Sequence, residues 1–351
     1  MNGYQDFVDK ALRDEILSRS QCQDVLNTSD EELLGLLQAA FRVRFRYFGK
    51  TVRLQMLQNA KSGACQEDCH YCSQSAVSTA AIERYNLVPQ KQMIEGARQA
   101  AASKAQRYCI VISGRSPLDR EIDEIAGAVR AIKNEIPIQI CCSLGLMNET
   151  QAKRLKAAGV DRVNHNLNTS RRFYPEICST HTFDDRMQTL QAVREAGMEL
   201  CSGGIVGMGE QHADLVDLAL TLRELEVESI PVNFLHPIDG TPLAQRGDLN
   251  PRECLRALCL FRLANPRSEI RIAGGRELHL RSLQPLGLYA ANSLFVSDYL
   301  TTPGQSPEDD YRMIADLGFV ITGPGPETKK GQDPAVAGKP AERMTATDAH
   351  R

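Results

Sequence analysis

The chain has 351 residues, enough for one large domain or two ordinary ones, and it can bury a sizeable core. Its formal net charge of -3, from 41 Lys and Arg against 44 Asp and Glu, offers no basic excess for gripping nucleic acid, and no long apolar run suggests a membrane span. A small molecule is therefore the expected partner, with no nucleic acid and no membrane; Met1 to Arg13 show neither a secretory signal nor an Arg-rich transit pattern, so a cytoplasmic location is expected.

In chain order, residues 1-50 read as a helical extension, with Ser29 or Asp30 capping a helix over Glu31-Ala40 and covering one end of the main domain. From about Val52, short Val- and Ile-rich segments alternate with helix-like stretches, the pattern of repeated βα units. The strand candidates are Arg53-Leu57, Arg107-Ser113, Ile138-Leu144, Arg162-Asn168, Glu199-Val206, Ile230-Leu235, Ile270-Gly274 and Ser293-Val296. These eight segments predict an α/β fold, a closed (β/α)8 barrel of the TIM type over residues 51-322. Among the intervening helices, Asn148 caps Glu149-Ala158 with Gln151 in a capping box and Gly159 as the stop, and Gly197 ends Asp184-Ala196. Residues 323-351 are too poor in apolar side chains to offset the entropy of ordering, so a disordered tail is expected.

The 11 cysteines are odd in number and accompany no export signal, which argues against a disulfide framework and for metal binding or buried thiols. Cys22, Cys178, Cys254 and Cys259 read as plain core filling. Cys65-Gln-Glu-Asp-Cys69-His-Tyr-Cys72 is different: three thiols stand within eight residues and no fourth comes after them at matching spacing. A structural zinc site is normally closed by four protein ligands, whereas a cube of iron and sulfur held by three cysteines leaves one iron open for chemistry. The run comes after the first barrel strand, where active-site loops emerge.

Strand alternation adds a second set. Side chains of a strand point to opposite faces with period two. Arg107, Cys109 and Ser113 therefore share one face; Cys141 lies with Gln139, opposite Cys142; Cys201 lies with Gly203. Asn164, Asn166 and Asn168 share a face, and Asn233 and Arg271 alternate against apolar neighbours. If the apolar faces meet the outer helices, these polar groups point into the lumen, where a normal barrel is packed with apolar side chains. Either a ligand fills that lumen or the polar groups satisfy one another.

The motif, with Tyr71 just before its third cysteine, resembles the radical S-adenosylmethionine (SAM) family. Gly203-Gly-Ile-Val-Gly-Met-Gly-Glu210 resembles that family's SAM-contacting strand and turn. Within it the chain is most similar to the biotin synthases over roughly residues 45-320, through Gly63-Ser75, Asn164-Ser170, Cys201-Gly207, Gly240-Leu243, Arg271-Glu277 and Leu300-Pro303. It departs from their usual pattern at Gln66 and Ser73, where proline is common, at Asn168, where aspartate is usual, and over Cys109-Arg115.

The resemblance implies radical sulfur insertion converting dethiobiotin to biotin, a sulfurtransferase reaction. It implies a 4Fe-4S cluster on Cys65, Cys69 and Cys72, and an inner 2Fe-2S cluster on Cys109, Cys141, Cys201 and Arg271 that serves as sulfur donor. SAM would be contacted by Tyr71, Asn166, Asn168 and Ile205, and dethiobiotin by Asn166, Asn233, Thr301 and Thr302. A flavodoxin-type or ferredoxin-type electron donor and a homodimer are also implied. Three rival readings differ from this: a radical SAM enzyme without sulfur insertion, an electron-transfer or structural metal protein using Cys65 to Cys72 with a distant fourth cysteine, and a nonenzymatic barrel with coincidental thiols.

Overall fold

The computed structural model describes residues 3-247 and 249-325. The tail expected over 323-351 lies, from residue 326 on, outside the described residues. Three helices lead: α1 (Gln5–Leu12), α2 (Arg19–Leu26) and α3 (Leu33–Phe48). Ser18 and Gln21 form a capping box at α2. The expected helix Glu31-Ala40 starts two residues later and runs eight residues further, to Phe48, because Leu33, Leu36, Leu37, Ala40 and Val43 continue one buried face. It stops where Gly49 takes φ +54°. The buried guanidinium of Arg44 donates to the carbonyls of Ala291, Gly49 and Thr51. Those carbonyls sit at the N-terminal ends of barrel strands, so α3 reaches the floor of the barrel, opposite the end where βα loops emerge.

The barrel is built from β1 (Thr51–Lys61), α4 (Gln90–Ala102), β2 (Arg107–Ile112), α5 (Asp119–Glu135), β3 (Gln139–Ser143), α6 (Glu149–Ala158) and β4 (Arg162–Asn164). It continues through α7 (Phe183–Glu195), β5 (Glu199–Cys201), β6 (Gly204–Val206), α8 (His212–Glu224), β7 (Ser229–Phe234), α9 (Pro251–Ala264) and β8 (Glu269–Ile272). Short helices α10 (Arg276–Leu280) and α11 (Gln284–Gly287) precede β9 (Ser293–Phe295), then α12 (Pro307–Asp316) and β10 (Val320–Thr322). All strand pairs are parallel, and β9 closes on β1 through Arg53 opposite Ser293, so the expected closed barrel forms. The β10 strand adds outside it, against the start of β1.

Two expected strands are cut to less than half or broken in two. β4 stops at Asn164, and the stretch to Asn168 is irregular, with Asn168 at φ +68°. Glu199-Val206 breaks at Ser202 and Gly203 into β5 and β6. Gly203 lies so near β7 that an added Cβ would sit 1.9 Å from the Pro231 carbonyl oxygen. Only glycine tolerates that approach.

Candidate active site

The loop after β1 carries Cys65, Cys69 and Cys72, with Cys69 buried and the other two partly exposed. Its entry needs left-handed backbone at Gly63 (φ +72°) and Ala64 (φ +50°), and the Gln74 side chain ties it back by accepting from Gly63 N at 2.9 Å. Cys72 N donates to Cys69 O, Ser75 N to Cys72 O and Ala76 N to Glu67 O, so the three-cysteine turn is fixed by its own backbone. Burial pushes the Cys72 thiol up to about 11. A soft cation that takes up thiolate would offset that cost. Burial alone would raise the Glu67 carboxyl, but hydrogen bonds from Thr180 and His181 hold it below the usual carboxylate range, and Arg115 adds an ion pair at 3.0 Å. Glu67 and Asp68 thus brace the loop against the segment after β4. Asp68 accepts there from Ser179 N and Thr180 N at 2.9 and 3.2 Å.

In the lumen the register places Cys109 beside Cys141, Cys141 beside Arg162, and Arg271 beside Ser293. Cys109, Cys141 and Val111 form a small buried group separate from the outer core, while Cys142 packs in that outer core. Arg271 Nη1 approaches Cys201 Sγ at 3.6 Å, and Arg271 Nη2 donates to Ser229 Oγ at 2.7 Å. Cys109 donates to Cys141; that bond, with Arg107, Arg162 and Arg271 nearby, outweighs burial and lowers the Cys141 thiol to about 7. Burial, partly offset by Arg271, raises the Cys201 thiol.

Beneath this group lies a fully buried carboxylate, Glu269. Its oxygens meet Arg53 at 3.2 Å, Arg162 at 3.3 Å, Arg107 at 3.5 Å and Arg271 at 2.9 Å, and it also accepts from Gln55. Burial would raise this carboxyl, but the four guanidiniums, Arg162 first, hold it well below its ordinary value. Arg162 and Arg107 also pair with Glu199. Arg107, Arg162 and Arg271 thus place positive charge next to the thiols. Such charge favours an anionic group on those thiols, and a 2Fe-2S core held by three thiolates is of that kind.

The remaining predicted residues surround the mouth. Asn168 Nδ2 donates to Tyr71 Oη at 2.6 Å, and Ile205 N donates to Asn168 O at 2.9 Å, which joins the cysteine loop to β6. Asn166 Oδ1 accepts from Gly203 N at 3.1 Å. Asn233 donates to Gly204 O and accepts from Gly274 N, both at 3.1 Å, so both ends of its amide brace backbone. Thr301 Oγ1 lies 2.8 Å from Ser73 Oγ, and Thr302 O accepts from Tyr299 N. The 300-302 segment therefore meets the cysteine loop directly.

Sequence reasoning missed Glu269, Arg53, Arg162, Ser73 and Asn59. Glu269 stood two residues before Arg271 and Arg162 two before Asn164, so the same alternation places them on the lumen face; without the register, nothing showed that they converge. Asn59 had no such signal: its Nδ2 donates to Leu300 O at 3.0 Å, while its buried Oδ1 has no hydrogen-bond partner among the described residues.

Residues 60-222 match the Radical SAM superfamily, and residues 231-320 match the Biotin and Thiamin Synthesis associated domain, which holds Asn233, Arg271, Thr301 and Thr302. A biotin synthase of Rhodopirellula baltica is 54% identical over 322 residues, 92% of this chain and 90% of that protein. One of Geobacillus kaustophilus is 54% identical over 315 residues, 88% of this chain and 95% of that protein. Among solved structures, methylornithine synthase superposes with a TM-score of 0.79 at 19% identity, covering 91% of this chain and 97% of that one, a likeness of fold alone. With more than half of the residues shared over nine-tenths of its length, the chain belongs to the biotin synthase family of radical SAM enzymes.

Proposed function

We propose that the chain converts dethiobiotin to biotin by radical sulfur insertion. The observation that carries this reading is the convergence of Cys109, Cys141, Cys201 and Arg271 in a lumen lined by guanidinium groups. A barrel that only generated a radical would have no use for a second thiol set there. When bound, SAM on a 4Fe-4S cluster supplies a 5'-deoxyadenosyl radical for hydrogen abstraction, and a 2Fe-2S cluster supplies the sulfur.

Cys65, Cys69 and Cys72 hold the outer cluster; Cys109, Cys141, Cys201 and Arg271 hold the inner one. Tyr71, Asn168, Asn166 and Ile205 line the SAM side, with the Asn168 to Tyr71 bond fixing the ring. Asn166 and Asn233 present their remaining amide capacity to the ureido ring, while Thr301 and Thr302 take the substrate carboxylate. Since Thr301 touches Ser73, carboxylate binding registers against the cysteine loop and sets the distance between the radical source and the target carbon. Glu269 holds Arg271 toward the thiols through their 2.9 Å ion pair. A flavodoxin-type or ferredoxin-type protein donates the electron, the enzyme works in the cytoplasm, and it is a homodimer. Among the described residues no helix is long and apolar enough to cross a membrane.

The test is anaerobic reconstitution of the wild-type chain and of a Cys109→Ala, Cys141→Ala, Cys201→Ala variant, with iron and sulfide analysis and Mössbauer spectroscopy of each. Two cluster types are expected in the first and only the cubane type in the second, with SAM perturbing the reduced cubane signal in both. Two cluster types surviving in the variant would overturn the proposal.

A further inference from the structure

One thiol beside the cysteine loop has no part in the proposed chemistry. Cys178 is buried as core filling would be, yet its neighbours are polar: its Sγ lies 3.8 Å from Cys69 Sγ, 3.1 Å from Asp68 Oδ1 and 3.2 Å from His181 Nδ1. The backbone enforces this approach. His70 N donates to Ile177 O at 3.0 Å, so the peptide joining Cys69 to His70 faces the peptide joining Ile177 to Cys178. The two cysteine Cα atoms flank that single hydrogen bond, and their sulfurs, 3.8 Å apart, need close only to the about 2.05 Å of a disulfide. Asp68 clamps the next two residues through Ser179 N and Thr180 N, which holds the two segments together.

His181 does not make Cys178 a substrate nucleophile. Arg186 Nη2 donates to His181 Nε2 at 2.9 Å, so Nδ1 carries the ring proton and gives it to Glu67 at 2.5 Å. A general base for Cys178 would need the reverse tautomer.

We propose that Cys178 is the redox partner of Cys69: in the cluster-free chain the two close a reversible disulfide that removes one ligand of the outer cluster. The inference rests on assigning Cys65, Cys69 and Cys72 to that cluster. In the step, the two thiols lose two protons and two electrons to a disulfide oxidant such as glutathione disulfide. A sulfur–sulfur bond forms between Cys69 and Cys178, the oxidant leaves as two thiols, and a dithiol reductant reverses the exchange. Cys65 and Cys72 are partly exposed, so a mixed disulfide forms there first and exchange carries oxidation inward. A sulfur engaged in a disulfide cannot bind iron, so oxidation and cluster loading exclude each other. Cys178 thereby parks a vulnerable motif in a recoverable state and keeps it off the irreversible oxidation ladder.

The full chain tests this. Cluster-free, fully reduced protein is exchanged against glutathione disulfide, alkylated and digested with trypsin without reduction. Cys65, Cys69 and Cys72 fall in peptide 62-84, and Cys178 is the sole cysteine of peptide 173-186. The expected product is a 62-84/173-186 pair whose fragmentation joins Cys69 to Cys178. The oxidised wild type then takes up at least tenfold less outer cluster until dithiothreitol is added, whereas oxidised Cys178→Ser takes up more than half of its reduced-state amount. A bond confined to peptide 62-84, or equal loss of cluster uptake in oxidised Cys178→Ser and wild type, overturns the proposal. Failure of the reduced wild type to load any cluster while the cross-linked pair forms would instead refute the cluster assignment, so the two failures are distinguishable.

Discussion

Asn168 is the residue where this chain departs from the aspartate common at its position, and its surroundings explain why an amide serves. The left-handed φ of +68° suits Asn and Asp better than most residues, and Nδ2 donates to the Tyr71 hydroxyl at 2.6 Å. In Asn168→Asp the hydroxyl can reverse the bond and donate to the carboxylate, which is the stronger acceptor. SAM affinity, measured by equilibrium binding to the reconstituted protein, is expected to stay within about threefold or to tighten; a loss of more than about tenfold would give the position another task. Cys141 and Cys142 offer a sharper contrast. Adjacent in sequence, they face the lumen group and the outer core respectively. Cys141→Ala is expected to abolish biotin formation and the inner-cluster spectrum. Cys142→Ala is expected to retain both, at a cost in stability for a buried small side chain. The opposite pattern would show the β3 register to be off by one.

The break between β5 and β6 is the element-scale device of the site. Gly203 meets the Pro231 carbonyl, Ser202 N donates to Ser229 O, and Asn166 and Asn233 fasten Gly203 and Gly204. Cys201 is thereby held low in the lumen while Ile205 rises toward the mouth. Gly203→Ala forces a Cβ against backbone and is expected to cost at least the about 1–3 kcal/mol of an overpacked site, read as a lowered midpoint in urea unfolding. Unchanged stability would mean that β7 yields easily there. The sequence pattern ran one strand through this break because Gly203-Gly-Ile-Val206 still alternates in the right phase; only the partner strand excludes it. By contrast, the lumen placement of Cys109, Cys141, Cys201 and Arg271 was legible, since each lies within a strand and has Ile or Leu on at least one flank. Asn166 and Asn168 were assigned by a parity that outlived their strand, which ends at Asn164. Their side chains reach the site through the irregular turn instead.

For the whole molecule, the buried network on Glu269 links the floor of the barrel to its chemistry, gathering side chains from β1, β2, β4 and β8. Glu269→Gln leaves four guanidiniums facing a neutral amide and is expected to cost about 3–5 kcal/mol at neutral pH. Because the folded-state carboxyl lies well below its ordinary 4.5, its stabilisation is fully present above that value and is lost as pH falls below it. The gap between wild type and Glu269→Gln in urea unfolding should therefore narrow on going from neutral pH to pH values below about 4; a constant gap would show that the carboxylate charge is not what matters. The same network sets guanidiniums beside the lumen thiols, so one set of residues serves both the fold and the candidate inner site. Whether this lumen donates sulfur to a carbon skeleton is decided by product mass. Anaerobically reconstituted protein is given SAM, a low-potential reductant and dethiobiotin; biotin together with 5'-deoxyadenosine and methionine is the predicted outcome, whereas 5'-deoxyadenosine without biotin would contradict it.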